Sequence, residues 1–178
     1  MQGFCNNIPI YLYDTVTPPP EDDGTLYHFT SIESAKKILR SMTLKLSDPR
    51  RFNDPSDCNL AEFALKIFRD RHALVDSWSE IRVLCFGTNT DLPDGVQYGF
   101  DHPRMWAQYA DNNRGVCIAV DKTSLIRDNS DLSETDFIKV NYSYFPHKYL
   151  NELELTPDNI REFPELLACK NKDWEHEN

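Results

Sequence analysis

Residues 26–39 read LYHFTSIESAKKIL, and the order of residue types in this segment predicts a strand, a polar corner and a helix. The opening part is apolar and aromatic, as strands are. Thr30 and Glu33 have the spacing of a capping box, in which the Thr oxygen accepts from a main-chain N–H and the Glu reaches back. His28 is thereby placed at the end of a strand, where its ring can face a ligand instead of the core.

The helix that follows is predicted to bury one face, because five apolar residues recur at helical spacing. They are Ile32, Ala35, Ile38, Leu39 and Met42. Further strands are predicted at residues 43–47, 81–86, 116–120 and 137–142, and further helices at 59–75, 103–110 and 156–170. No regular strand–helix–strand repeat is present, so the pattern favours the α+β class.

The remaining segments are predicted to be loops and turns. Residues 1–24 are expected to form a loose lead-in to the domain. Residues 8–13 can form a short strand, but the proline run and acidic residues that follow them end any regular element. One domain is then expected over residues 25–178. Residues 48–57 and 112–115 are rich in turn residues, and 88–102 is a long polar loop whose second part, 95–102, is expected to act as a lid.

Composition bounds the class of protein. The 178 residues are 40% hydrophobic, which suits an ordinary core, and no stretch approaches the roughly 18 apolar residues of a membrane span. Residues 1–7 lack a charged-then-apolar signal, so we expect a cytoplasmic protein with no membrane partner. The five cysteines form no CxxC pair and no metal-ligand spacing, so we expect reduced thiols, buried at Cys85 and Cys117, and no metal site.

The net charge of −10 argues against non-specific binding of a nucleic acid backbone over a large part of the surface. A local concentration of basic residues is nevertheless present in the first third of the chain. It comprises Lys36, Lys37, Arg40, Lys45, Arg50 and Arg51. These residues are either a solvated surface or a surface that receives a nucleic acid strand.

Several segments, in this order, resemble a bacterial family known as a domain of unknown function, number 2971. Its marks are LYHFT at 26–30, FNDP at 52–55, CF at 85–86, MWAQYAD at 105–111 and GVC at 115–117. The tail residues Lys170, Trp174 and Glu177 fit the end of the same pattern. The resemblance covers roughly residues 25–178.

The corner at His28 also resembles the opening of ADP-ribosyltransferase folds, including those that modify DNA. The resemblance implies a split, mixed or antiparallel sheet flanked by helices, and NAD as the substrate. In such enzymes a His on the first strand holds a ribose of NAD, a later aromatic stacks on nicotinamide, and a late Glu orients the reacting ribose. Carried onto this chain, His28, Phe29 and Thr30 bind NAD, with the Phe29 main chain clamping the carboxamide, and Tyr109 is the aromatic.

Cleavage of the bond between nicotinamide and ribose passes through an oxocarbenium-like state, which a nearby carboxylate stabilises. The family pattern Trp-x-x-Glu-x-Glu has two registers here. In the first register, Trp174 and Glu177 are the first and fourth residues of the pattern, and its last Glu falls beyond Asn178, so this chain lacks that Glu. In the second register, Glu175 and Glu177 are the two Glu residues of Glu-x-Glu. Arg50 or Arg51 is a candidate partner of the pyrophosphate, because a guanidinium matches phosphate oxygens.

Two classes of function follow. The first is an ADP-ribosyltransferase or NAD glycohydrolase, in the setting of a bacterial toxin or a phage-defence effector, with a protein or nucleic acid acceptor. The second is a non-catalytic binding or sensor module on the same fold. Each site residue also has a structural interpretation: His28 ties a strand end to a carbonyl, Tyr109 is a core aromatic, and the Arg and Glu candidates are solvated.

Overall fold

In the computed structural model of the chain, the described residues are 4–6, 10–11, 24–52, 81–143 and 168–172. The chain divides into two compact units. Unit 1 comprises Met1–Gly3, Leu46–Val83 and Thr135–Glu175, and unit 2 comprises Phe4–Lys45, Leu84–Glu134 and His176–Asn178. The domain expected over 25–178 stays a prediction.

Unit 2 holds most of the regular structure that is described. In chain order its elements are β1 (Phe4–Asn6), β2 (Ile10–Tyr11), β3 (Thr25–Thr30), α1 (Ile32–Ser41), β4 (Thr43–Lys45), β5 (Gly87–Thr88), β6 (Thr90–Leu92), β7 (Gly95–Gln97), α2 (Pro103–Tyr109), β8 (Val116–Asp121) and α3 (Lys122–Arg127). Unit 1 contributes a 3-10 turn at Pro49–Arg51 and the strands β9 (Asn141–Ser143) and β10 (Cys169–Asn171), which pair in parallel. A second 3-10 turn spans Glu134–Asp136.

The main sheet of unit 2 has the strand order β2-β8-β3-β5, and all of its pairs are antiparallel. The β3–β8 ladder is the longest, with six residue pairs from Thr25↔Asp121 to Thr30↔Val116. The strands β1 and β2, from the expected lead-in, pair with β4 and β8. The predicted strand at 26–29, the strand at 116–120 and the helix at 103–110 are confirmed, and so is the α+β class. The finer ADP-ribosyltransferase-like sheet stays a prediction.

Helix α1 begins one residue later than the sequence predicts. Ser31, not Thr30, is the N-cap, and its Oγ accepts from the Ser34 N–H at 3.2 Å. Thr30 is the last residue of β3 and is buried, which commits it to the sheet. Glu33 forms an exposed ion pair with Lys36 at 2.7 Å. The predicted Thr30–Glu33 capping box is therefore wrong.

The buried face of α1 is narrower than predicted. Ala35 and Ile38 are buried, but Ile32 and Leu39 remain 47% and 48% exposed. They lie on one flank of the helix, away from the direction shared by Ala35 and Ile38. Met42 has left the helix: it is the left-handed C-cap, and its N–H donates to the Ile38 carbonyl at 2.7 Å.

The predicted strand at 81–86 is wrong. Only Val83 forms a bridge there, with Ser47 in unit 1, and the sheet strand begins at Gly87. Cys85 is exposed, contrary to prediction, because its segment leaves the ladder. An apolar run indicates burial but does not say which residues pair.

The predicted loop at 88–102 contains a hairpin, β6–β7, closed by Pro93 and Asp94. Its second part packs into the core: Tyr98 stacks on Phe100, and Phe100 lies edge-on to Tyr27. The lid expectation therefore fits residues 98–102 poorly.

Three further differences concern the second half of the chain. Helix α3 was not predicted, and Asp121 caps it by accepting from the Ser124 N–H at 2.6 Å. Of the strand predicted at 137–142, only Asn141 and Tyr142 belong to β9. Cys169 and Lys170, predicted to end a helix, lie in β10. The helix predicted at 59–75 lies outside the described residues.

Candidate functional site

Strand β3 separates its residues onto two faces. Side chains alternate along a strand, so Leu26, His28 and Thr30 share one face while Tyr27 and Phe29 share the other. Tyr27 and Phe29 form a buried cluster with Ala110, against which Trp106 and Tyr109 pack. The ring of Phe29 lies edge-on to that of Trp106, with centroids 5.3 Å apart.

This alternation places Tyr109 and His28 on opposite faces of the sheet. Tyr109 packs on the Tyr27–Phe29 side as part of the core cluster. The expectation that both rings converge on one ligand is therefore not met. Helix α2 carries Tyr109 on the turn that also contacts β3, so its ring serves packing there.

On its own face, His28 lies between two apolar neighbours. Ile118 is its partner across β8, and the ring of Phe86 lies edge-on at 6.1 Å between centroids. Burial lowers the pKa of His28, opposed by a hydrogen bond with the main chain of Cys85. Because that bond favours the charged form, the imidazole is its donor. The neutral ring then keeps its other nitrogen as an acceptor.

The main-chain groups of β3 also alternate between its two neighbours. The Lys122 N–H donates to the Gly24 carbonyl at 2.8 Å, which extends the β3–β8 ladder by one pair. Main-chain groups point to the same side at every second residue of an antiparallel strand. Gly24 and His28 thus direct theirs to β8, and Tyr27 and Phe29 direct theirs to the side of β5.

On that side the ladder stops just before Phe29. Strand β5 pairs with Leu26 and Tyr27 alone, and the next hydrogen-bonded pair in this register would join Phe29 to Cys85. Within the described ranges, the Phe29 N–H and C=O form no hydrogen bond on this side. The Cys85 main chain instead meets the imidazole of His28. Among the described residues, the main-chain N–H and C=O of Phe29 are thus unpaired at the sheet edge, next to the neutral His28.

We call this place the β3 edge site and define it by the His28 and Phe86 side chains and the Phe29 and Cys85 main chains. Its peptide group offers one donor and one acceptor, and its imidazole offers one acceptor. Such a set suits a planar amide that carries a hydroxyl-bearing group next to it. No cluster of three potential metal ligands occurs in the described part of the chain.

Of the other predicted site residues, the structure describes Thr30, Arg50 and Arg51. Thr30 is buried in β3, and Arg50 and Arg51 lie in the 3-10 turn of unit 1, with Arg51 exposed. Glu175 and Glu177 lie outside the described residues. The roles proposed for all of these residues stay predictions.

Sequence reasoning missed two residues. Phe86 was noted only as a family mark, although it directly precedes β5 and therefore stands opposite His28. His102 is 3% exposed, its Nε2 has no hydrogen-bond partner among the described residues, and burial lowers its pKa. No sequence signal distinguished His102 from a surface histidine, because it follows a polar loop.

Cys117 lies across from Phe29 on β8. Burial raises the pKa of its thiol to about 12. It therefore stays protonated at neutral pH and is a poor nucleophile. Cys117 is half-buried, and the expectation of a reduced structural thiol stays a prediction.

Comparison with known families bears on the second part of the chain. Residues 105–178 match the family described as "Protein of unknown function (DUF2971)". Over these residues, the predicted family resemblance is confirmed. No curated protein and no solved structure matches the chain. Among the described residues, no helix has the length and apolar character needed to cross a bilayer.

Proposed function

We propose that the β3 edge site binds the nicotinamide end of NAD and that the protein is an ADP-ribosyltransferase-like, NAD-using protein. One observation carries the proposal: among the described residues, the main-chain N–H and C=O of Phe29 have no ladder partner, and the residue before it is the neutral His28. A carboxamide has one donor and one acceptor group and so complements a peptide edge.

Each member of the site has a role in this proposal. The Phe29 N–H donates to the carboxamide oxygen, and the Phe29 carbonyl accepts from its NH₂. His28 accepts from a ribose hydroxyl through the nitrogen that Cys85 does not engage. Phe86 offers an apolar ring beside the imidazole, a part that the sequence had given to Tyr109.

Bond cleavage requires a further group. The oxocarbenium-like state needs a nearby carboxylate, for which Glu175 and Glu177 are the candidates. A second candidate is a binding or sensor module on the same fold, which holds NAD without breaking it.

The binding proposal is tested with NAD and nicotinic acid adenine dinucleotide, which carries a carboxylate in place of the carboxamide. At about 100 times its Kd, NAD should stabilise the protein by about 2.7 kcal/mol. This corresponds to a Tm increase of roughly 5–10 °C in a differential scanning experiment. The acid analogue should bind at least about tenfold more weakly, since it leaves the Phe29 carbonyl without a donor.

Two variants locate the effect. His28→Ala should abolish the shift, whereas Tyr109→Phe, on the other face of the sheet, should retain it. A shift that survives in His28→Ala, or equal shifts with both dinucleotides, would contradict the proposed site.

Turnover separates the two candidate functions. Incubation of the wild-type protein with NAD, followed by chromatography, measures free nicotinamide. Release that is absent in His28→Ala supports the enzyme. Binding without any release supports the sensor module.

A further inference from the structure

The outward surface of α1 and β4 carries cations that have no partner in the described part of the chain. Lys37, Arg40 and Lys45 are exposed and form no ion pair among the described residues, while Lys36 is paired with Glu33. The chain as a whole has 29 acidic and 19 basic residues. With acids in such excess, unpaired neighbouring cations are not explained by overall composition.

Hydroxyl groups connect these cations into one surface. Ser41 Oγ donates to the Lys37 carbonyl at 2.9 Å and lies 2.7 Å from Thr43 Oγ1. Thr43 and Lys45 share one face of β4, because the residue between them, Leu44, is fully buried. Lys37 and Arg40 are three residues apart on α1 and therefore neighbours.

An apolar flank runs beside the cations. Ile32 and Leu39 are about half exposed, and Lys36 is their neighbour at i+4 and i−3 respectively. The surface thus has a basic, hydroxyl-rich part and a narrow apolar part next to each other. We call it the α1–β4 surface and define it by Ile32, Lys36, Lys37, Leu39, Arg40, Ser41, Thr43 and Lys45.

We propose that the α1–β4 surface docks a single-stranded nucleic acid. Lysine, arginine and hydroxyl groups are the side chains that contact phosphate oxygens. A single strand exposes its bases as well as its phosphates, so bases can pack against Ile32 and Leu39 while phosphates contact the cations. A duplex encloses its bases and would leave Ile32 and Leu39 uncovered.

Docking of this strand does not rest on the proposed function, and it is measured without NAD. Failure of docking leaves NAD binding intact as a hypothesis, and failure of NAD binding leaves docking intact.

The test is fluorescence anisotropy of a labelled oligonucleotide of about 12 nucleotides, a length within the range that one binding domain covers. If three phosphates are engaged, the logarithm of the association constant should fall with the logarithm of salt concentration with a slope of about −2. The variant Lys37→Gln, Arg40→Gln, Lys45→Gln should bind at least about tenfold more weakly and show a slope near zero.

The matched control removes three other exposed cations of unit 2: Arg104→Gln, Arg114→Gln, Arg127→Gln. It has the same net charge and should bind as the wild type does. The conservative variant Lys37→Arg, Lys45→Arg should retain binding, and thermal melting checks that each variant is folded. The proposal would be overturned if the wild type did not bind the oligonucleotide, or if the two triple variants lost the same amount of affinity. It would also be overturned if the protein bound the matching duplex, phosphatidylserine vesicles or a polyglutamate peptide more tightly than the single strand.

Discussion

At the scale of single residues, two neighbours on β3 take different parts. His28 directs its side chain to one face of the sheet, while Phe29 directs its ring to the opposite face and its peptide group to the sheet edge. The candidate site thus combines a side chain with the main chain of the next residue. Substitution of Phe29 would disturb the core cluster but leave its main-chain N–H and C=O in place. Ligand analogues therefore test these main-chain groups more directly than a Phe29 variant does.

The histidines predict how stability depends on pH. Burial lowers the pKa of both His28 and His102 from the ordinary value of 6.5. The unfolded chain therefore takes up protons first as the pH falls, so stability is full above about pH 6.5 and declines below it, toward the folded-state values. Each group contributes a slope of at most about 1.4 kcal/mol per pH unit.

Urea unfolding at several pH values between about 5 and 8 measures this slope. His28→Phe and His102→Phe should each make the decline shallower, and the double variant more so. A slope that is unchanged in the double variant would place the titrating groups elsewhere.

At the scale of elements, the start of α1 distinguishes two caps. Ser31→Ala removes the acceptor for the Ser34 N–H and should lower the free energy of unfolding by about 1 kcal/mol. Thr30→Val keeps the shape of a β-branched strand residue and should leave the helix cap intact. Chemical denaturation compares them, and a larger loss from Thr30→Val than from Ser31→Ala would restore the predicted capping box.

The turn between α2 and β8 depends on close main-chain packing at Gly115. A Cβ there would overlap the Thr30 carbonyl oxygen and lie 2.8 Å from the Ala110 main chain. Gly115→Ala should cost about 2 kcal/mol or more, since the main chain must shift. At Gly87 a Cβ meets nothing closer than 3.4 Å, so Gly87→Ala should cost much less. Thermal melting compares the two variants, and an equal loss of stability in Gly115→Ala and Gly87→Ala would contradict the close packing inferred at Gly115.

Local sequence patterns predicted some elements and not others for identifiable reasons. β3, α2 and β8 were predictable because their apolar residues pair within one ladder or pack on it. The segment 81–86 was not, because its apolar residues do not reveal that the β5 ladder begins at Gly87. The corner and its resemblance singled out His28 and Phe29, and their role in binding stays a prediction. That Phe86, and not Tyr109, lies beside His28 could not be predicted, because it depends on which face of the sheet each element reaches.

At the scale of the whole molecule, the charge of the α1–β4 surface is opposite in sign to the net charge of the chain. The net charge of −10 opposes general attraction of polyanions, yet the α1–β4 surface concentrates unpaired cations on one helix and the strand that follows it. Nucleic acid binding, where it occurs, should therefore be local and strongly dependent on salt. The family match over residues 105–178 includes α2 and β8, the elements that pack on and pair with β3.

The most direct measurement is a titration of the histidine-labelled protein with NAD, followed by ¹⁵N NMR of the imidazole nitrogens. The account predicts that His28 is neutral at pH 7, with one protonated nitrogen, and that NAD shifts the resonance of the other while leaving His102 unchanged. Nicotinic acid adenine dinucleotide should reproduce this change only at much higher concentration. An unresponsive His28, or a charged one, would contradict the account.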